Sequence, residues 1–339
     1  LGLLLGVARI ASAAIVGLEA HVCRTLIGRV CLQPRVGRVG DLDRHLSEGG
    51  EARWGEAARR VLRPMLTLAG AELVGYSGAR HHKLAAAVEF IHTATLLHDD
   101  VVDGSDLRRG KAAANIIYGN PATVLVGDFL FSRSFELMTE DGSLKVLKIL
   151  SGASAIIAEG EVDQLTAQRK IDTSEERYLH IIRAKTAALF AAASRIAAVV
   201  AECSDEKERA LDEYGRNLGV AFQLVDDALD YDSNAAAMGK DRGDDFREGK
   251  MTLPVILAYA RGSEEERAFW KAAIGGFKTS DEDLDHAIAL IERHNAVDDT
   301  KARARHFAQR AIDALSIFPD SKARQAMTQA ALFAVARGY

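Results

Sequence analysis

The sequence predicts an all-α fold, a single bundle of long, mostly antiparallel helices, and three observations predict it. Only five prolines (Pro34, Pro64, Pro121, Pro254, Pro319) interrupt 339 residues, so long stretches are free to be helical. Those stretches are rich in Ala and Leu, good helix formers, with few runs of β-branched residues. Nothing alternates apolar and polar with period two over a strand's length.

In chain order, residues 1–60 are the least regular part and are read as N-terminal helices apart from a helical catalytic domain over 61–339. His82 to His98 carries apolar residues through more than four turns without a breaker, and Asp128 to Met138 and Leu144 to Gln168 follow suit. Ser174 to Cys203 and Asp205 to Asp232 read as two further continuous helices. The breaks between them are short: Gly104 to Gly110, Gly119-Asn120-Pro121 and Asp141-Gly142. Short links favour antiparallel neighbours, and no Ser/Pro-rich linker marks a seam. The longest irregular stretch runs from Ser233 to Lys250.

Composition excludes some function classes. A net charge of -5 argues against a nucleic-acid binder, which usually carries a basic surface. Three scattered cysteines (Cys23, Cys31, Cys203) suit neither a disulfide framework nor a zinc knuckle, and point to a reducing cytoplasm. Leu1 to Ala20 is apolar apart from Arg9 and Glu19, without the basic start of a signal peptide or the clean apolar span of an anchor. The expectation is no transmembrane segment.

Two acidic triplets carry the chemistry. Asp99, Asp100 and Asp103 stand at i, i+1 and i+4, so Asp99 and Asp103 lie one above the other on a helix, with Asp100 beside them. Like charges at that spacing repel unless a cation sits between them. Asp226, Asp227 and Asp230 repeat the spacing about 127 residues further on. One such motif is as readily a solvated acidic face. Two of them, each inside a strongly apolar helix, point to hard divalent cations, magnesium first, that share carboxylate, water and phosphate oxygens. Cations stand close by in sequence: Arg60 and Arg63, Arg108, Arg109 and Lys111, Lys185, then Lys240 and Lys250. Carboxylates for metal beside separate Arg and Lys donors describe a site for two diphosphates, one chelated and one salt-bridged.

At these residues the chain resembles the trans-isoprenyl diphosphate synthases, most closely the long-chain octaprenyl to decaprenyl enzymes. The resemblance runs from about Arg60 onward. It is carried by His92 through Asp103 with Leu107-Arg108-Arg109-Gly110, by Lys185-Thr186-Ala187, and by Phe222-Gln223 through Asp230. Gly239-Lys240, Gly243-Asp244-Asp245 and Glu248-Gly249-Lys250 complete it. It implies helices around a central cavity, paired as a homodimer, with three magnesium ions at the substrate-loaded site. Asp99 and Asp103 would ligate two ions and Asp226 the third, with Asp100, Asp227 and Asp230 in the same set of metal residues and Asp244 nearby. Arg108, Lys185 and Lys240 would hold the allylic diphosphate, and Arg60, Arg63, His92 and Arg109 the isopentenyl diphosphate, with Lys250 a further substrate contact. Thr186 and Gln223 would face the reacting carbons. The implied product, extended from an allylic primer such as farnesyl diphosphate, has about C40 to C50 and suits a quinone side chain. Small residues at Ala94 and Thr95 would let the tail pass, with Phe131, Phe135 or Met138 as its floor. Product release would involve peripheral membrane contact.

One departure is visible: where the family reads Gly-Gly-Lys-Arg-Leu-Arg-Pro, this chain has Ala58-Arg59-Arg60-Val61-Leu62-Arg63-Pro64. Rivals fare worse. A terpene cyclase commonly builds its second metal site from Asn, Ser and Glu, a non-catalytic subunit should have lost acids, and a di-iron bundle wants Glu-x-x-His pairs. A farnesyl or geranylgeranyl synthase is the nearer alternative.

Overall fold

A computed structural model describes residues 62–108, 111–232, 243–276 and 279–336. The N-terminal helices expected over 1–60, and with them Arg60, lie outside the described residues.

Several helices begin where a serine side chain closes the first turn. α1 (Leu62–Leu73) and α2 (Arg80–Val102) pack side by side, and α2 carries the first acidic triplet at its C-terminal end. A two-residue antiparallel hairpin follows, β1 (Leu107–Arg108) with β2 (Lys111–Ala112), the only strands among the described residues. α3 (Ala114–Tyr118) leads to α4 (Asn120–Asp141), whose Pro121 sits in the first turn, where no N–H is needed. Gly142, left-handed at φ 76°, stops α4, and Ser143 caps α5 (Leu144–Ala167) by accepting from the Val146 N–H. Ser174 and Ser204 cap α6 (Glu175–Ile182) and α8 (Asp205–Asp230) in the same way.

Ser174 to Cys203, read as one helix, is interrupted. α6 passes into a π-helical turn, Arg183–Ala187, before α7 (Ala188–Val200). The irregular Ser233-to-Lys250 stretch holds a short helix, α9 (Asp244–Glu248), while 233–242 lies outside the described residues. Longer helices follow: α10 (Leu253–Arg261), α11 (Glu264–Trp270), α12 (Asp281–Arg293) and α13 (Ala296–Ala314). α14 (Lys322–Ala336) follows them.

α8 is the central pillar, packed along α7 and α13. Its first half (Leu211, Tyr214, Leu218) joins an apolar core with α1, α2, α4, α5 and α7. Its second half (Val220, Leu224, Leu229) joins a second core with α6, α10, α12 and α13. Gly215 and Gly219 allow the close approach. A methyl group at Gly215 would stand 2.3 Å from the Phe190 carbonyl oxygen, and one at Gly219 2.6 Å from the Ala187 Cα. Gly160 does the same from α5, where a methyl would lie 2.8 Å from the Lys185 nitrogen. The π-turn is thus gripped between α5 and α8.

Candidate active site

The π-turn aims two predicted residues at the site. A π-turn is wider than an α-turn and often marks function, and here it carries Lys185 and Thr186 between two glycine-lined contacts. Lys185 Nζ reaches Asp99 of the first triplet at 3.6 Å and Glu161 of α5 at 2.5 Å. The Thr186 hydroxyl donates to Gln223 Oε1 at 2.7 Å, joining the π-turn to the second triplet's helix. Together with Asp227, Asp245, Lys250 and Thr252 these residues line a cavity of about 140 Å³.

The first triplet meets a second lysine from across the fold. Lys250, 147 residues away, places Nζ 3.3 Å from Asp103, and Glu248 pairs with the same ammonium. Burial works against charge on Lys250, but Asp245, Glu248 and Asp103 outweigh it and hold the ammonium well above its usual range. The loop bearing Lys250 is tied down from α5: Gln168 Nε2 donates to the Glu248 carbonyl at 2.6 Å, and the Arg169 N–H to the Gly249 carbonyl at 2.8 Å.

The second triplet divides. Asp230 accepts from the Asp245 N–H at 3.1 Å, which anchors α9 against α8. Asp227 is 4 % exposed and both its oxygens are taken, one by the Tyr178 hydroxyl at 2.5 Å and one by Gln223 Nε2 at 2.7 Å. Burial, then repulsion from Asp245, pushes the Asp227 carboxyl up to about 7, against those two hydrogen bonds and with help from Asp226. Asp226 is half-buried one position away. Asp100, at 3 % exposure, is the buried middle acid of the first triplet.

The proposed isopentenyl-side residues also meet: Arg63 and His92 lie 2.8 Å apart, with the Arg63 guanidinium over the Phe190 ring at 4.6 Å. Arg109 and Lys240 lie outside the described residues, as does the Arg108 side chain. Ala94 is wholly buried in the apolar core, and Thr95, half-buried, donates to the His92 carbonyl at 2.8 Å. Phe131 and Phe135 stack edge to face at 5.3 Å against that core, and Met138 is buried in it.

The acids suit a hard cation. All donors are oxygen, and cations already stand against Asp99 and Asp103. Among the described residues no three His, Cys, Asp or Glu converge tightly enough to hold an ion by themselves. Any ion here therefore completes its shell from water and substrate oxygens, as magnesium commonly does. Sequence reasoning missed Glu161, which pairs with Lys185, Tyr178, which holds Asp227, and Gln164, which lines the same cavity. None has a motif spacing of its own: Glu161 and Gln164 look like solvated helix positions and Tyr178 like core.

Known proteins resemble this chain over most of its length. The polyprenyl synthetase family model matches residues 57–291. The octaprenyl diphosphate synthase of Haemophilus influenzae is 44% identical over 303 residues, covering 89% of each chain. The structure of a decaprenyl diphosphate synthase from Rhodobacter capsulatus superposes with a TM-score of 0.81 at 47% identity, covering 96% of this chain and 98% of that one. A Caulobacter crescentus polyprenyl synthase, solved with calcium and isoprenyl diphosphate, gives 0.80 at 48% identity over 98% and 97% of the two chains. From the acid triplets, the lysines that reach them and the extent of these matches, the chain belongs to the polyprenyl synthetase family.

Proposed function

We propose that this protein condenses isopentenyl diphosphate with an allylic diphosphate, repeatedly and in the all-trans sense, to a product of about eight to ten isoprene units. The observation that carries the reading is that Lys185, Lys250, Thr186 and Gln223 line one cavity while Asp99 and Asp103 pair with its two lysines, which brings four separate parts of the chain together. The octaprenyl and decaprenyl names of its relatives support the long product.

Asp99, Asp103 and Asp226 would hold magnesium, three ions in the loaded site, and when bound the metal neutralises charge on the departing diphosphate. The chain's own residues do the rest. Lys185, already poised beside Asp99, takes charge from the leaving diphosphate as the allylic C–O bond ionises. Arg63 and His92 hold the second diphosphate so that its double bond lies beside the cation, and fixing the partners removes much of the entropic barrier. Thr186, 7 % exposed, and the apolar residues behind it keep water from the cation. The released diphosphate takes the final proton.

Exposed apolar side chains gather on α3, α4 and α5: Ile116, Ile117, Leu125, Phe129 and Ile156. An apolar patch of this kind marks an interaction surface, and we assign it to a second copy of the chain. No helix among the described residues is long and apolar enough to cross a membrane. Labelled isopentenyl diphosphate, farnesyl diphosphate and magnesium, followed by product chromatography, test the reading. A C40–C50 product is expected. Products no longer than C20 overturn the long-chain assignment, and no incorporation with any allylic primer overturns the reaction.

A further inference from the structure

A threonine hydroxyl inside a helix usually donates to the carbonyl one turn back. Thr300 does so here, to Ala296 at 2.8 Å, as Ser154 and Ser194 do to Leu150 and Phe190. Thr186 does not. Its hydroxyl crosses to Gln223 Oε1 at 2.7 Å, and a run of bonds leads inward: Gln223 Nε2 to Asp227 at 2.7 Å, then Tyr178 OH to the other Asp227 oxygen at 2.5 Å. Tyr178 and Asp227 are each 4 % exposed, so water does not compete for the bond between them.

The order of donors along this run is forced from its buried end. In the ionised form, which both of its hydrogen bonds favour, Asp227 only accepts, and the Tyr178 hydroxyl, which has a single hydrogen, takes one oxygen. The other oxygen must face the amide NH2 of Gln223, which turns the amide oxygen toward Thr186. The single Thr186 hydrogen is then committed to Gln223, and the lone pairs of its oxygen are left toward the cavity that both residues line. Lone pairs stabilise positive charge developing in that cavity, whereas a hydroxyl hydrogen there opposes it.

We propose that Asp227, despite its place in the acidic triplet, is a positioning residue rather than a metal ligand. With Tyr178 it sets the amide of Gln223, and so fixes the Thr186 hydroxyl with its oxygen toward the reacting carbons. The proposal rests on the prenyl-transfer reading. It separates the acids of one motif by role: Asp226 toward metal, Asp227 toward the orientation of a neutral relay.

Asp227→Asn tests it. Asparagine keeps its oxygen for Tyr178 and turns its NH2 to Gln223. The amide must then flip, and Thr186 must become an acceptor with its hydrogen in the cavity. The expected result is a fall in kcat of about 100-fold, as for loss of one preorganised donor or acceptor, with both KM values unchanged. Manganese bound with an unreactive allylic thiolodiphosphate, counted by electron paramagnetic resonance, should match wild type, whereas Asp226→Asn should lose an ion. The double variant Q223E/D227N has the wild-type net charge and again presents an acceptor to Thr186, so it should recover about tenfold of the lost rate. Tyr178→Phe, which removes one bond without reversing the run, should cost less than Asp227→Asn and serves should the latter fold poorly. The proposal is overturned by loss of a manganese ion in Asp227→Asn, by wild-type kcat in Asp227→Asn or Tyr178→Phe, or by a double variant no faster than the single one. Manganese counts do not depend on turnover, so they judge Asp227 even if the wild type makes no prenyl product.

Discussion

The two acidic triplets share one spacing and differ in almost everything around it. On α2, Asp99 and Asp103 are 18 % and 10 % exposed, and each faces a lysine delivered from elsewhere, Lys185 and Lys250. On α8, Asp230 holds a backbone N–H of α9, and Asp227 is enclosed by Tyr178 and Gln223. The middle acids, Asp100 and Asp227, are the buried ones in both. A step of one residue turns a helix by about 100°, so the i and i+4 acids share a face and the i+1 acid looks elsewhere. A triplet is therefore two outer carboxylates on one face, which the proposed function gives to metal, and a middle one whose role depends on what packs beside it.

The largest expected effect separates the outer acids from the rest. Asp99→Asn and Asp226→Asn should each lower turnover about 100- to 1,000-fold with the helical circular dichroism unchanged, and chelation should abolish activity that magnesium then restores. Full activity in either variant removes it from the metal site.

A second contrast concerns the helices below the triplets. Ala94 and Ala221 stand five residues before Asp99 and Asp226, and both are wholly buried. If the growing tail follows α2, Ala94→Phe shortens the product to about three or four isoprene units, one bulky ring one turn below the triplet blocking its path. Ala221→Phe should instead leave product length alone and cost about 1–3 kcal/mol of stability by overpacking. Chromatography of both products, beside denaturant melts, decides which helix lines the tail.

Lys185 tests whether the lysine and metal compete for the first triplet. Lys185→Met should weaken binding of the allylic diphosphate about 10- to 100-fold, the usual scale for losing a charge-assisted hydrogen bond. Manganese alone should bind it more tightly, because Asp99 no longer carries an ammonium at 3.6 Å. Titration calorimetry with each ligand checks both directions, and weaker manganese binding would break the idea of competition.

The smallest effect concerns the scaffold. Gly215→Ala should cost about 1–3 kcal/mol, because its methyl meets a carbonyl oxygen at 2.3 Å. Gly152→Ala in α5, with nothing within 4 Å, should be stabilising by about 0.4–1 kcal/mol. Equal melting curves for the two variants would show that the α7–α8 contact yields easily.

Much of the fold was legible in advance because its causes are local. Serine caps, Gly142 and Pro121 mark helix ends within a few residues, and apolar periodicity marks the spans between them. The π-turn was not legible. Ile182 to Ala188 has ordinary helical residues, and the widening coincides with the grip of Gly160 and Gly219, which come from other helices. The tiny hairpin at Leu107 and Ala112 is likewise too short to leave a periodic signal.

The sequence by itself determined the helical class, the acid spacing on α2 and α8, and a supply of cations for them. These follow from backbone periodicity and residue chemistry, which act over a few residues. Only the tertiary structure decided which cation meets which acid: Lys250 with Asp103, Lys185 shared by Asp99 and Glu161, Tyr178 beneath Asp227. Those pairings depend on how helices pack across distant stretches of chain, and a buried tyrosine or an isolated glutamate carries no local mark of the partner that packing brings to it.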